Sequence, residues 1–161
     1  YFWDLLEGVP GIHAHRPPKD SNTTMGGWYA AHGLYRPEEL GGLSVTAYAK
    51  AVTELGSHCT PGANWPLHLH PLFNTADIYG HGKPTRIAYS DRDLRQKPGS
   101  LPVSERIASR VCSVPWFKKF YPELIEEHAN AFRRAAENYK VLLKTDKGNP
   151  PGMGKFNFFT H

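Results

Sequence analysis

The chain has 161 residues, a formal charge of +4, 40% hydrophobic and 21% charged residues. That is enough for one modest core and too balanced for wholesale disorder. No apolar run approaches the ~20 residues of a membrane span. The 19 lysines and arginines are scattered, with no block longer than Lys118-Lys119 or Arg133-Arg134, which speaks against a nucleic-acid stripe.

In chain order, Tyr1-Phe2-Trp3-Asp4-Leu5-Leu6 reads as the inside of a helix rather than a natural start, so a piece of something longer is expected. Gly8, Pro10 and Gly11 end that helix. Ile12 to Arg16 reads as short and extended, residues 19–26 as a polar loop, and Gly27 to Tyr35 as an aromatic-type strand. Ser44 suits the N-cap of a helix over Val45 to Leu55, where Val45, Tyr48, Ala49, Val52 and Leu55 recur at helical spacing. An extended stretch, 57–66, leads into Pro66-Leu67-His68-Leu69-His70-Pro71-Leu72-Phe73. Residues 74–100 lack a sustained period and predict a long loop. Pro102 opens a short helix with Val103, Ile107 and Val111 on one face, and Cys112 to Trp116 suits a strand edge. The clearest element runs from Pro122 to about Leu143, with acidic residues in its first turn and Lys140 and Lys144 at its end. Gly148, Pro150, Pro151 and Gly152 break regular structure, and Phe156-Asn157-Phe158-Phe159 forms an apolar tail.

Nine histidines raise the question of a metal. His13/His15 and His68/His70 are His-x-His pairs, which on a strand would share a face. The first pair reads as surface strand residues. The second, between Pro66 and Pro71, reads equally as ligand-lining or structural, and a required metal is not expected. Gly80-His81-Gly82-Lys83 lacks the strand and helix of a phosphate cradle. Cys59 and Cys112 make no disulfide framework and read as reduced, partly buried thiols of a cytoplasmic protein. Glu123, Glu126 and Glu127 read as a solvated helix face. Trp65 is the aromatic expected nearest a ligand.

Three groups of motifs, in order, resemble one family. They are Gly8-Val9-Pro10-Gly11-Ile12; then Leu43-Ser44-Val45-Thr46-Ala47-Tyr48, Val52-Thr53-Glu54-Leu55-Gly56 and Pro66 to Phe73; then Leu101-Pro102-Val103-Ser104-Glu105-Arg106, Cys112-Ser113-Val114-Pro115-Trp116 and the long final helix. Together they resemble the C-terminal part of the DegT/DnrJ/EryC1/StrS aminotransferases, over roughly residues 1–143. The resemblance implies an α/β fold: the small C-terminal domain of the aspartate-aminotransferase fold type, a mainly antiparallel sheet with helices on one face. Residues 144–161 would form a C-terminal tail. It further implies a pyridoxal-phosphate enzyme that moves an amino group from glutamate or glutamine to a keto sugar or keto-cyclitol, acting as a homodimer in the cytoplasm.

The family's cofactor lysine belongs to an N-terminal domain, and none of the ten lysines here has its context. The expectation is therefore a domain that carries no catalytic residue, binds no pyridoxal phosphate covalently and needs the missing N-terminal domain as partner. Asn64, Trp65, His68, His70 and Arg86 are the candidate substrate-binding residues, orienting the substrate by hydrogen bonds and apolar contact. Arg92 and Arg95 are further candidates to meet a phosphate or carboxylate. The stretches Tyr1-Phe2-Trp3, Trp65 to Phe73 and Phe156 to Phe159 are expected to face the partner. The competing readings are a non-catalytic binding or regulatory module and a histidine-rich metal-binding protein.

Overall fold

The computed structural model describes residues 1–24, 29–77, 80, 93 and 95–153. Arg86, Arg92 and the Phe156–Phe159 stretch, all expected to meet a ligand or partner, lie outside the described residues.

Three short strands form an antiparallel sheet in the order β1 (Ile12–Ala14), β2 (His32–Tyr35), β3 (Val111–Ser113). Ile12 faces Tyr35, and Gly33 lies between Ala14 and Cys112. Side chains alternate across a strand, so Ile12, Ala14, Gly33, Tyr35 and Cys112 share one face. That face is the core face: Ile12, Tyr35 and Cys112 are all buried. Gly33 is glycine for a steric reason, since a Cβ there would sit 2.7 Å from the Trp3 ring and 2.9 Å from Ile12 Cδ1. Gly11 turns the chain into β1 at φ +83, a conformation that favours glycine, with Leu40 seated where a side chain would be.

Helix α1 (Phe2–Leu5) precedes the sheet, α2 (Val45–Glu54) packs on it, and α5 (Pro122–Glu137) packs on α2 and α1. Ser44 caps α2 as its sequence predicts, its side chain accepting from Ala47 N at 3.1 Å. The apolar stripes of α2 and α5 close on one another around Tyr48 and Phe132, both fully buried. The two buried tyrosines on this face find partners: Tyr35 donates to the Leu43 carbonyl at 2.8 Å and Tyr48 to the Phe132 carbonyl at 3.0 Å. Phe2 packs edge-on against Phe132 and Trp3. The opening aromatics, expected on a partner-facing surface, are therefore mostly core: Phe2 is buried and Trp3 half-buried, leaving Tyr1 outside with its hydroxyl on Glu126. Arg133 donates to the Leu5 carbonyl at 2.6 Å and so satisfies the end of α1.

The predicted 122–143 helix breaks at Asn138 into α5 and a short α6 (Tyr139–Leu142). The Asn138 amide turns back onto the Arg134 carbonyl at 2.8 Å, competing with the helix's own ladder. Residues 144–153 then return to α2. Asp146 accepts from both the backbone N–H and the hydroxyl of Ser44, at 2.7 and 2.6 Å, and Asn149 accepts from Thr46. The architecture is thus mixed α/β, a three-stranded antiparallel sheet with helices against its buried face. Among the described residues, no helix is long and apolar enough to cross a membrane.

Candidate functional site

The Pro66–Phe73 stretch forms neither a strand nor a plain extended segment. It is a 3-10 turn over Leu67–Leu69 followed by one helical turn, α3 (Pro71–Asn74). Pro71 sits at the first helical position, where its missing N–H costs nothing. His68 and His70 therefore do not share a strand face. The His70 ring is the N-cap of α3: its Nδ1 accepts from Leu72 N at 3.1 Å. With Nδ1 as the acceptor, Nε2 is left as the ring's donor. Asn74 fastens the turn from below, donating to the His68 and His70 carbonyls at 2.7 and 3.0 Å.

His68 points inward. Its side chain is 8% exposed, and Nε2 lies 3.0 Å from a carboxylate oxygen of Glu105 on α4 (Pro102–Arg106). Glu105 also accepts from the N–H groups of Gly99, at 2.8 and 2.9 Å to its two oxygens, and of Leu101 at 3.1 Å. The Gly99 bond above all, and then His68, hold its carboxyl below the ordinary range. One carboxylate thus joins the 66–70 turn to both the loop entering α4 and the start of that helix.

The outside of this joint is apolar. Leu67 and Val103, 71% and 72% exposed, stand with Leu101, Ile107, Pro66 and His68 around an open groove. Val103 and Ile107, predicted to lie on a helix face with Val111, instead line this outer surface, and Val111 belongs to β3. The reason is local: the helix from Pro102 lasts five residues and passes through a 3-10 turn at Ile107–Arg110 into the strand, so its face never reaches the core. Of the other candidates, Asn64 is exposed at the approach to the turn and Trp65 half-buried beside it. Arg95 is exposed, paired with Asp93 and bonded to the Asn74 carbonyl at 3.2 Å.

Elsewhere the polar groups serve the fold. His13 lies 2.6 Å from Glu39, which also takes the Gly11 N–H. Ser57 meets His128 Nδ1 at 2.9 Å. Cys59 and Cys112 are both buried and free. Cys112 beside it, and then burial, push the Cys59 thiol far up, which makes it a poor nucleophile. Among the described residues no group of three or more His, Cys, Asp or Glu side chains is arranged to hold a metal ion.

Two things escaped the sequence reading. One is Glu105, the centre of the joint. Its signal is a Glu in the first turn behind Leu101-Pro102, whose carboxylate accepts from the N-cap N–H of Leu101. The other is the pair Asp146 and Asn149, in a glycine- and proline-rich tail that gives no periodic signal. Compared with family models the chain matches none, and it matches no curated protein.

Proposed function

We propose that the chain is the small C-terminal domain of a pyridoxal-phosphate aminotransferase. Such an enzyme would transfer an amino group from glutamate or glutamine to a keto sugar or keto-cyclitol, with the 64–74 segment on its substrate side. The observation that carries this reading is the groove. Stretches from the second and third motif groups, Pro66 to Phe73 and Leu101 to Arg106, meet through His68 and Glu105 and turn an apolar surface outward beside the candidate ligand residues. Exposed apolar surface of this kind suits a face that another domain covers. A second apolar surface, with Tyr1, Trp116, Phe120, Tyr121 and Leu124 exposed, adds to the area available to a homodimer partner or to a large domain.

Among the described residues, no lysine fits the cofactor itself. All eight described lysines are exposed, and none lines the groove; Lys83 and Lys155 lie outside the described residues. A cofactor lysine needs a pocket that desolvates and orients it. The reading therefore assigns pyridoxal phosphate to a separate N-terminal domain and derives no step of its chemistry here. The part left to this chain is orientation. His70 Nε2–H is a donor, the Asn64 amide is donor and acceptor, and Trp65 offers an aromatic edge. Those groups suit the hydroxyls and ring faces of a sugar or cyclitol.

The test is the coding sequence upstream of Tyr1 and the protein it specifies. A lysine-bearing domain is expected there, and the joined protein should absorb at roughly 410–430 nm, the band disappearing on borohydride treatment. An initiator codon directly before Tyr1, with no such domain encoded nearby, would favour the non-catalytic module.

A further inference from the structure

We propose that Glu105 is the positioning residue of the 66–74 segment, and that the segment loses its fixed placement when this carboxylate is neutralised. The inference deepens the functional reading, on which it rests only in that this segment carries His70 and adjoins Asn64 and Trp65.

The geometry makes Glu105 a hub. Its two oxygens receive the His68 ring and the N–H groups of Gly99 and Leu101, so one side chain sets the turn before α3 and the approach to α4 at once. Much of the apolar surface of this edge faces outward: Leu67, Leu72, Phe73, Leu101, Val103 and Ile107 are all exposed, whereas Leu69 is half-buried and Pro66 buried. α3 is in turn tied to the 67–70 turn by Asn74 and by the His70 cap, so whatever frees His68 frees the platform on which His70 stands. A protonated carboxyl keeps acceptor capacity on one oxygen but loses the charge that strengthens all these bonds.

Among the described residues, the charged and titratable side chains of Arg106, Arg110, Arg95 and His70 near the joint are engaged elsewhere. Arg106 bonds the Pro102 carbonyl, Arg110 pairs with Glu38, Arg95 with Asp93, and His70 takes the Leu72 N–H. Lys97 is exposed. Among the described residues, His68 is the titratable side chain in contact with Glu105, and a charged His68 strengthens the bond as long as the carboxylate is ionised. The hold therefore fails on the acid side, as Glu105 takes up a proton.

The experiment is hydrogen exchange on the whole chain, read by mass spectrometry and corrected for the intrinsic pH dependence of exchange. It compares wild type, Glu105→Gln and His68→Ala across the acid range. In Glu105→Gln at neutral pH, the amides of 67–75 and of Gly99 and Leu101 should exchange about tenfold faster or more, as loss of bonds to a charged acceptor implies, while α2 and α5 stay protected. His68→Ala should free 67–75 but leave Gly99 and Leu101 slow. Wild type should show the same local opening as the pH falls through the carboxylate range, and Glu105→Gln should be flat there. Unchanged exchange at 67–75 in Glu105→Gln, or a wild-type opening that the variant shares, overturns the proposal. If the variant loses protection everywhere, the wild-type profile decides: an acid opening confined to 67–75, Gly99 and Leu101 upholds it, and one that spreads equally over α2 and α5 overturns it. None of these readouts depends on activity, so the proposal and the aminotransferase reading fail separately.

Discussion

Around Phe132 the apolar side chains point inward, and the two buried tyrosine hydroxyls donate to the Leu43 and Phe132 carbonyls. Around His68 the imidazole points inward to Glu105, while Leu67, Leu101 and Val103 are exposed. The first region is stabilised by area removed from water, which is non-directional and forgiving in detail. The second is held by a handful of directed bonds to one carboxylate. A unit that only had to fold would gain by turning Leu67 and Val103 inward. On the reading proposed above, their exposure beside a tightly held turn suits a face that another domain covers.

The comparison is broken most directly at Phe132. Phe132→Ala removes the ring that meets Tyr48 and Phe2 and should cost about 3–5 kcal/mol. Chemical denaturation should place its midpoint far below that of wild type; a shift under about 1 kcal/mol would mean that the α2–α5 contact is not the core. Gly33→Ala probes the same region from the sheet side. Its methyl group meets the Trp3 ring and Ile12, so a loss of about 1–3 kcal/mol is expected from overpacking. Thermal melting that matches wild type would show that α1 yields freely.

Asp146→Ala tests a polar tie that belongs to the core region. Burial alone would raise this carboxyl, but the bonds from Ser44 and from Gly148 N outweigh it and hold it below the ordinary range. The stabilisation it brings is therefore present at neutral pH and lost as the pH falls through the lowered value. The variant should lose about 1 kcal/mol at neutral pH, as for a helix cap, and the gap to wild type should close in acid. A gap that stays constant down to low pH would count against the carboxylate as its source. The smallest effect is expected on the other side. Leu67→Ser and Val103→Ser should each leave the unfolding midpoint of the chain within about 0.5 kcal/mol, and, on the proposed aminotransferase reading, should instead weaken binding to the large domain which that reading assigns. A large loss of stability in the chain alone would place these residues in its own core.

The contrast also explains which parts were legible in the sequence. α2 and α5 announce themselves because burial imprints a period: Tyr48 and Val52, or Ile125, Ala129 and Phe132, recur wherever the helix turns toward the core. The Ser44 cap and the Gly11 turn are equally local, and both are found where the residues suggest. The antiparallel sheet was legible only as a class, because β2 and β3 are three or four residues long and are separated by more than seventy. The 66–74 turn misled, since two histidines one residue apart look like a strand pair until Pro71 is given its weight as a helix opener. Val103 and Ile107 misled in the opposite way, having the spacing of a buried face on a helix too short to present one. The site candidates came from that turn and from the resemblance. Its partner Glu105 escaped because a carboxylate 37 residues away leaves no periodic trace.

The fastening of Ser44 by Asp146 spans 102 residues. In a cell the chain is made from its N-terminal end at roughly 5–20 residues per second. The start of α2 therefore leaves the ribosome something like 5–20 s before the residue that completes it. For most of that interval the helix has its serine cap but neither the aspartate behind it nor the α5 face against which it closes. Tyr48 and Val52 are then open to whatever is nearby. Folding of this domain is a late event in its own synthesis, and the interval is when a chaperone has most to offer it.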